Sequence, residues 1–313
     1  MAGVAATVSS LPRTAILRAA ESPFLQRLVR RYGMRLGAAR FVAGETLDEC
    51  VAVLRELNAA GLRANTTLLG EAILDPDGAA RVAAEYEHVL DRLAAEQLRA
   101  NVALKLTHLG LSLDEELAAR NLERVVAHAG TLGSFVRIDM EQSVYVDATL
   151  RVYERLRAAG HANVGTVLQS YLRRSPADLE RLLPLQPNLR VVKGAYLEPA
   201  SIALPEKRDV DLAYVRLVER GLRGGAYVAV ATHDERIIRH VRAFAAREGV
   251  PGDRYEFQML YGVRPALQRS LAGQGYEVLV ATPYGPDWYP YLMRRLAERP
   301  ANLVFFLRNL VRR

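Results

Sequence analysis

Short apolar segments alternate with longer amphipathic segments along the chain from about residue 62 onward. The apolar segments are ANTTLLG (64–70), NVALKLTHLG (101–110), SFVRIDM (134–140), NVGTVLQSYL (163–172), NLRVVKGAY (188–196), AYVAVATH (226–233), RYEFQML (254–260) and YEVLVATPYG (276–285). Between them, stretches such as residues 79–97, 114–130 and 234–249 repeat apolar positions every three or four residues, as one face of a helix requires. The pattern predicts eight strands that alternate with helices.

Regular strand–helix alternation indicates parallel strands joined by crossover helices. Eight such units match one closed (βα)8 TIM-type barrel, and an open doubly wound sheet is the alternative. No G-x-G-x-x-G motif follows a strand, Gly224-Gly225 precedes one instead, and no P-loop motif occurs, which disfavours a Rossmann version. We predict an α/β barrel domain over residues 62–313, preceded by a helical arm over residues 1–61.

Length and composition are those of a globular protein. The chain has 313 residues, of which half are apolar and a quarter charged, so it can form one barrel or two average domains. The single cysteine, Cys50, excludes an intramolecular disulfide and is typical of a reducing compartment. No stretch approaches the ~18 apolar residues of a membrane span, and no secretory signal is present. We therefore expect a cytoplasmic protein.

The net charge of +7 is concentrated near the N-terminus. Residues 1–44 contain seven arginines and one glutamate, whereas the rest of the chain has 35 basic and 34 acidic residues. A basic arm can bind nucleic acid or the inner face of a membrane, and a non-enzymatic binder of either kind is one alternative. Because the body is nearly neutral, we favour packing of the arm onto the barrel. We expect no nucleic-acid partner and leave peripheral membrane contact open.

Polar residues are concentrated where the predicted strands end, and these ends form the active site in barrels of this class. In chain order they are Glu71, Lys105, Thr107, His108, Arg137, Asp139, Gln169, Tyr171, Arg190, Lys193, Tyr196, Thr232, His233, Gln258 and Tyr284. Only three of the 42 basic residues are lysines, and two of those three belong to this set. A charge within a strand is costly unless it is paired or functional. The set therefore predicts a catalytic site.

Side-chain alternation along a strand places Lys105 with Thr107, and Arg137 with Asp139, on one face. If those faces point inward, cations and a carboxylate meet at the mouth of the barrel. The alternative is that Thr107, Arg137 or Tyr171 points outward and caps a helix.

Other barrel chemistries are open at this point. A Schiff-base lyase could use Lys105 or Lys193 as its amine, and a metal-dependent hydrolase could use His108, Asp139 and His233 as ligands. No ligand spacing supports a metal site, so we expect none. The absence of a G-x-S-x-G motif disfavours a serine hydrolase.

Several segments resemble, in order, those of proline dehydrogenases, particularly the stand-alone bacterial enzymes. The matching segments are LGE (69–71), ALKLTHLG (103–110), RIDME (137–141), LRVVKGAY (189–196), VATHD (230–234), YEFQMLYGVR (255–264) and WYPYLMRRLAERPAN (288–302). Each falls on a predicted strand end or on the last helix. The resemblance implies a TIM-type barrel that is distorted at its last helix, which lies over the barrel mouth.

The resemblance also implies an activity. Members of this family bind FAD non-covalently and oxidise L-proline to 1-pyrroline-5-carboxylate, the first step of proline degradation to glutamate. Electrons then pass to membrane quinone, and hand-over of the product to 1-pyrroline-5-carboxylate dehydrogenase is implied as a partnership. A relative that acts on 4-hydroxyproline is an alternative within the family, although Tyr291 near the arginine pair favours proline.

Roles for individual residues follow from the same resemblance. It implies that the substrate contacts Lys105, Tyr196, Leu260, Tyr291, Arg294 and Arg295. It implies that FAD contacts Met140, Gln169, Arg190, Lys193, Gly194, Ala195, Thr232 and His233. Asp139 and Arg190 are the implied catalytic residues, and Arg190 lies beside the reactive nitrogen of the flavin. Glu71 is the implied gate residue, which pairs with one of the two adjacent arginines.

One position departs from the family pattern. Members often carry a tyrosine two residues before the proline of Y-x-P-x-G at the end of the eighth strand, where this chain has Ala281. The contact of that tyrosine with the pocket is therefore absent or supplied by Tyr284.

Overall fold

Eight parallel strands close into a barrel in the computed structural model. The structure describes residues 22, 26–27, 29, 33–34, 37–70 and 73–298, and the side chains of all of these except residues 294 and 296–298. The strands are β1 (Arg63–Leu68), β2 (Ala100–Lys105), β3 (Val136–Asp139), β4 (Val164–Gln169), β5 (Asn188–Val192), β6 (Tyr227–Ala231), β7 (Tyr255–Leu260) and β8 (Val278–Tyr284). Each strand pairs with its neighbours in chain order, and β8 pairs with β1. The predicted α/β barrel is confirmed, and the open sheet is wrong.

Among the elements whose bounds the structure describes, a helix follows every strand and a further helix precedes the first. The helices are α1 (Leu47–Ala59), α2 (Pro76–Ala95), α3 (Glu115–Thr131), α4 (Ser143–Ala158), α5 (Ser175–Leu182), α6 (Lys207–Arg223), α7 (Glu235–Glu248), α8 (Pro265–Gly273) and α9 (Trp288–Glu298). Short 3-10 turns occupy Ala38–Arg40, Leu106–Leu109, Leu183–Leu185 and Gly252–Arg254. The domain boundary at residue 61 stays a prediction. Within the described ranges no helix has the length and apolar character needed to cross a bilayer.

Capping side chains fix where several helices begin. Thr46 accepts a hydrogen bond from the Glu49 amide, and Glu49 accepts one from the Thr46 amide, which forms a capping box at α1. Asp75 accepts from the Gly78 amide at 2.7 Å, and Asp114 caps α3 in the same way. These contacts satisfy amides that lack a partner within the helix. At α2 and α3 they therefore fix where the loops that follow β1 and β2 end.

The main core lies between the outer face of the barrel and the surrounding helices. Leu104, Ile138 and Val230 are fully buried in it, and side chains one residue away point into the barrel instead. Cys50 and Leu54 of α1 belong to the same core, and α1 packs against β1 and β8. Helix α1 therefore covers the wall where the barrel closes.

The last helix, α9, packs in a different place. Its residues Trp288, Tyr289, Leu292 and Met293 form a separate apolar cluster with Val29, Ala38, Phe41, Val42 and Leu69. Trp288 is buried, and its Nε1 donates to Oε1 of Glu45 at 2.5 Å. Since Leu69 directly follows β1, this cluster lies at the mouth of the barrel. The displacement of α9 from the outer wall confirms the predicted distortion at the last helix.

Candidate active site

A single arginine organises the polar interior of the barrel. Arg190 on β5 is 8% exposed and donates to Oε1 of Gln258 on β7 at 2.6 Å. It also donates to Oδ1 of Asp139 on β3 at 2.6 Å and to Oδ1 of Asn65 on β1 at 3.0 Å. Since β1, β3 and β7 do not adjoin β5, these contacts cross the inside of the barrel. The guanidinium is thus a fixed cation, held from three directions and paired with a carboxylate.

Neighbouring polar side chains extend this network. The Asn65 amide donates to Asn101 on β2, and Nε2 of Gln258 donates to Oε1 of Glu256 at 2.6 Å. Lys105 lies beside Asp139 in the pairing of β2 and β3, and both are at the mouth end of their strands. Sequence reasoning missed Asn65, Asn101 and Glu256. Each is a polar residue within an apolar strand, at a position whose side chain points into the barrel. This pattern could have identified them from the sequence.

Arg137 is buried inside the barrel, as its parity with Asp139 predicted. It donates to the carbonyls of Thr166 at 3.0 Å and Asn188 at 2.8 Å. Gly165 lies opposite Arg137 in the strand register, and a β-carbon there would overlap the guanidinium. Burial and the charge of Arg190 lower the pKa of Arg137 to about 9, so it remains a cation near neutral pH. Its donors are committed to β4 and β5, where they bond two carbonyls and the side chain of Asn188, which indicates a structural role.

Lys193 follows β5 and is held at the N-terminal ends of α6 and α7. Its Nζ lies 2.5 Å from Oδ1 of Asp211 and 3.8 Å from Oδ2 of Asp234. Burial acts to raise the pKa of Asp211, but hydrogen bonds from Lys193 and Lys207 outweigh it, and this pKa lies below its ordinary value. A hydrogen bond from Arg236, with the charge of Lys193, lowers the pKa of Asp234 to about 2. Two carboxylates therefore fix the lysine side chain at the rim of the mouth.

The predicted cofactor residues after β4, β5 and β6 lie at neighbouring strand ends. Gln169 is buried at the end of β4, and its Oε1 has no hydrogen-bond partner among the described residues. Gly194 has φ +110°, and a β-carbon there would overlap the ring of Tyr171. Met140 is buried after β3, whereas Ala195 is exposed. Glycine at position 194 thus lets the chain after β5 turn closely against Tyr171.

Thr232 and His233 follow β6 and contact the ends of neighbouring elements. The Leu260 amide donates to Nε2 of His233 at 2.9 Å, which assigns the ring proton of a neutral imidazole to Nδ1. The Thr232 hydroxyl accepts from the Asp234 amide at 3.1 Å, at the start of α7. Both side chains are therefore fixed at the mouth between β6 and β7.

The predicted substrate residues divide between described and undescribed parts of the chain. Tyr196 and Leu260 are half-buried after β5 and at the end of β7. On α9 the guanidinium carbon of Arg295 lies 5.4 Å from the ring centroid of half-buried Tyr291, a cation–π contact. Arg294 belongs to the same helix, but its side chain lies outside the described residues, as does all of Glu71.

Ala281 pairs with Leu260 on one side and with Asn65 on the other, so it lines the mouth of the barrel. Tyr284 is three residues further along β8 and therefore points to the opposite face, where it is buried in the main core. The suggestion that Tyr284 supplies the missing tyrosine contact is wrong for this reason.

Thr107 and His108 lie beyond the end of β2, in the 3-10 turn Leu106–Leu109. Strand alternation therefore does not extend to Thr107, whose hydroxyl donates to Glu141 at 2.7 Å. Burial raises the pKa of Glu141. The described residues contain no group of three His, Cys, Asp or Glu side chains that could hold a metal ion.

His108 gives a prediction about acid stability. It is 6% exposed, and burial together with the charge of Lys105 lowers its pKa from 6.5 to about 4. Between these two values the unfolded chain binds a proton that the folded protein does not. The free energy of unfolding should therefore fall with decreasing pH through this window, by up to about 1.4 kcal/mol per pH unit from this group.

Replacing His108 by glutamine should make that decline shallower, as measured by chemical denaturation between pH 4 and 6.5. His88→Gln is the matched control, since His88 is exposed on α2 and should leave the slope as in the unmodified protein. An identical slope for His108→Gln would show that His108 protonates freely in the folded state.

Comparison with known proteins shows the same architecture and closely related sequences. The sequence profile described as proline dehydrogenase matches residues 50–308. The chain is 43% identical to proline dehydrogenase of Deinococcus radiodurans, over 97% of this chain and 99% of that protein. It is 41% identical to proline dehydrogenase 1 of Bacillus subtilis strain 168, over 96% of this chain and 99% of that protein.

A solved structure of proline utilization A from Bdellovibrio bacteriovorus superposes with a TM-score of 0.79 at 25% identity. The match covers 87% of this chain and 34% of that longer one, so this chain corresponds to about a third of its length. The profile match, the full-length similarity and the barrel with its displaced last helix agree, and the chain belongs to the proline dehydrogenase family.

Proposed function

We propose that this protein oxidises L-proline to 1-pyrroline-5-carboxylate with bound FAD, the first step of proline degradation to glutamate. The observation that carries the proposal is the fixed Arg190–Asp139 pair inside the barrel mouth, 2.6 Å apart, with Lys105 beside Asp139 in the strand register. Such a pair would supply a buried, oriented charge where a zwitterionic substrate and a cofactor meet.

Cations at the mouth suit the carboxylate of proline. Arg294 and Arg295 on α9, with Lys105 from β2, can make several charge-assisted hydrogen bonds to it. Because α9 packs over the mouth, binding through its arginines would also exclude water from the reacting carbon. Tyr196, Tyr291 and Leu260 are half-buried and would form the walls around the ring. Glu71 would pair with one arginine as a gate.

The residues at the ends of β3 to β6 fit an extended cofactor that is partly apolar and partly polar. The buried Oε1 of Gln169, which no described residue satisfies, would accept a hydrogen bond from FAD. Met140 would contact the ring, and Lys193, Gly194, Ala195, Thr232 and His233 would complete the cofactor contacts. Bound FAD supplies the hydride acceptor. Arg190 would stabilise negative charge beside it, and Asp139 orients Arg190.

The proposal is tested by identifying both cofactor and product. Protein purified without added flavin should release FAD on denaturation, identified by mass spectrometry. Incubation with L-proline and an electron acceptor should yield a product two hydrogens lighter than proline. A flavin-free protein that shows no turnover after reconstitution with FAD would reject the assignment.

We further propose that the electrons pass to a membrane quinone. Three aliphatic side chains are exposed beyond the ends of β2, β3 and β5: Leu113 (43% exposed) and Leu197 (76%) in loops, and Val144 (75%) at the start of α4. We name them the apolar rim. They surround part of the mouth where FAD is proposed to bind, so a lipid-soluble acceptor would meet apolar surface there.

Hydrogen bonds between adjacent residues hold the rim together. Ser112 and Tyr145 contact each other through their hydroxyls at 3.2 Å, and Ser143 donates twice to Glu198 at 2.7 Å. Each contact joins immediate neighbours of two rim residues, so the segments that carry the three rim residues are tied to one another. The apolar rim supports peripheral contact of a cytoplasmic protein with the inner face of the membrane. Family membership alone motivates the further proposal that the product is handed over to 1-pyrroline-5-carboxylate dehydrogenase.

Replacing Val144 and Leu197 together by asparagine should weaken vesicle binding more than tenfold, since burying each aliphatic side chain contributes about 1.5–3 kcal/mol. Turnover with a vesicle-bound quinone should fall accordingly, whereas turnover with a water-soluble dye should not. Leu212→Asn is the control, because Leu212 is exposed on α6 outside the rim. Equal vesicle binding by the double variant and the unmodified protein would reject this contact.

A further inference from the structure

A continuous series of polar contacts runs from the candidate site toward the opposite end of the barrel. Asp139 accepts from Arg190, and Nε of Arg190 donates to Oε1 of Gln258 at 2.6 Å. Nε2 of Gln258 donates to Oε1 of Glu256 at 2.6 Å, and Glu256 lies 3.6 Å from Arg63 at the first residue of β1. Gln258 and Glu256 are both buried. The cation at the mouth is therefore connected to a carboxylate deep in the barrel.

Glu256 determines which way round the Gln258 amide lies. An ionised carboxylate only accepts hydrogen bonds, so it takes the N–H of Gln258. This leaves the amide oxygen of Gln258 facing Nε–H of Arg190, which needs an acceptor. If the amide were flipped, donors would face each other at Arg190 and acceptors would face each other at Glu256. Glu256 and Gln258 together thus fix the edge of the guanidinium that carries Nε–H of Arg190.

Glu256 also balances positive charge inside the barrel. Arg137 and Arg190 are both buried, and the charge of Arg190 lowers the pKa of Arg137 while the charge of Glu256 acts in the opposite direction. The charge of Asp139 acts on Arg137 in the same direction as that of Glu256, but one carboxylate cannot neutralise two cations. Without Glu256, repulsion between the arginines would displace Arg190, because Arg190 is held only by side chains.

We propose that Glu256 and Gln258 are positioning residues for Arg190. They set the rotation of its guanidinium plane and hence the location of its charge relative to FAD and proline. They act through Arg190 and touch neither ligand. The kinetic consequence rests on the proposed function, whereas the coupling between these side chains does not.

The coupling is tested by chemical denaturation in the absence of substrate. Arg190→Met, Gln258→Leu and the double variant form a cycle, in which residues that share one hydrogen bond give non-additive effects. The double variant should be less destabilised than the sum of the single variants. Asn121→Leu is the matched control, because Asn121 is a buried amide on α3 that bonds the Leu109 carbonyl and should add independently to Arg190→Met. Additive effects for Gln258→Leu would overturn the proposal.

The kinetic test uses FAD-loaded protein. Gln258→Leu and Glu256→Gln should each lower kcat roughly tenfold, as expected for a lost hydrogen bond to a charged group, with KM for proline changed by less than about twofold. Each should also shift the midpoint potential of the bound flavin to more negative values. The variant that combines Glu256→Gln with Gln258→Leu should be no slower than Gln258→Leu alone. Asn121→Leu should keep the kcat of the unmodified protein.

Unchanged kcat and potential in Gln258→Leu would overturn the positioning role, as would an equal loss in Asn121→Leu. Absence of proline oxidation by the unmodified protein would instead reject the proposed function, and the denaturation cycle would still decide whether Gln258 and Arg190 are coupled.

Discussion

Replacing Arg190 by methionine is expected to slow proline oxidation by about 10²–10³-fold, the usual effect of removing one preorganised group that stabilises developing charge. The guanidinium is almost fully buried and is held by Asp139, Asn65 and Gln258, so its charge acts at a fixed point in a site with little water. Methionine fills similar space but carries neither charge nor donor. Stopped-flow absorption should show the loss in the rate at which proline bleaches the flavin.

Folding must be verified in this variant, because removing one partner of a buried ion pair costs about 3–5 kcal/mol of stability. Circular dichroism and the FAD content of the purified variant provide that control. Arg190→Lys keeps the charge without the planar fork and should retain more activity than Arg190→Met. A folded, FAD-loaded Arg190→Met that proline reduces at the normal rate would remove Arg190 from the reaction.

Replacing Arg295 by methionine is expected to raise the KM for proline at least tenfold, because a buried hydrogen bond between charged groups contributes about 1.5–3 kcal/mol. Arg295 is half-buried on α9, and its guanidinium lies over the ring of Tyr291, another predicted substrate residue. Its guanidinium is therefore held against a predicted pocket residue. Steady-state kinetics over a wide range of proline concentrations measure the effect, and Arg294→Met should behave similarly.

A substrate without a carboxylate separates binding from general damage to the helix. Pyrrolidine lacks that group, so Arg295→Met should lose little with pyrrolidine and much with proline. Arg220→Met is the matched control, since Arg220 is exposed on α6 and bonds Glu180 at 2.6 Å, away from the mouth. Unchanged proline saturation in Arg295→Met would leave Arg295 with a role in helix packing alone.

The barrel could be predicted because its signal is local. Each strand is a short apolar run and each helix has its own periodicity, so eight alternations can be counted without any knowledge of tertiary contacts. The strand ends were less certain. The sequence pattern predicts one strand over residues 101–110, because Leu106 and Leu109 are buried like strand residues. In the structure β2 ends at Lys105 and a 3-10 turn follows.

The partners of the site residues could not be predicted, since they depend on contacts across the barrel. Arg190 and Asn65 are 125 positions apart in the chain, and no local pattern reports that their side chains meet. The same applies to Glu256, whose importance follows from the buried amide beside it. Side-chain alternation along each strand predicts on which face a residue lies. Which faces meet is decided only when the barrel closes.

The places where the helices pack could not be predicted from the sequence pattern either. Amphipathic spacing predicts that α1 and α9 each bury one face, but not that α1 covers the wall at β1 and β8 while α9 packs over the mouth. The resemblance to a known family supplied the position of the last helix. It also suggested Tyr284 as a pocket residue, which strand alternation excludes once β8 is seen to continue through Tyr284.

We claim above all that proline reduces a flavin bound in this barrel. Anaerobic titration of the purified protein with L-proline, followed by visible absorption, tests it most directly, with D-proline as the control for the geometry of the carboxylate contacts. We predict a yellow protein that L-proline bleaches completely, that D-proline bleaches far more slowly, and that an added quinone restores to yellow. A yellow protein whose spectrum L-proline leaves unchanged would contradict the claim.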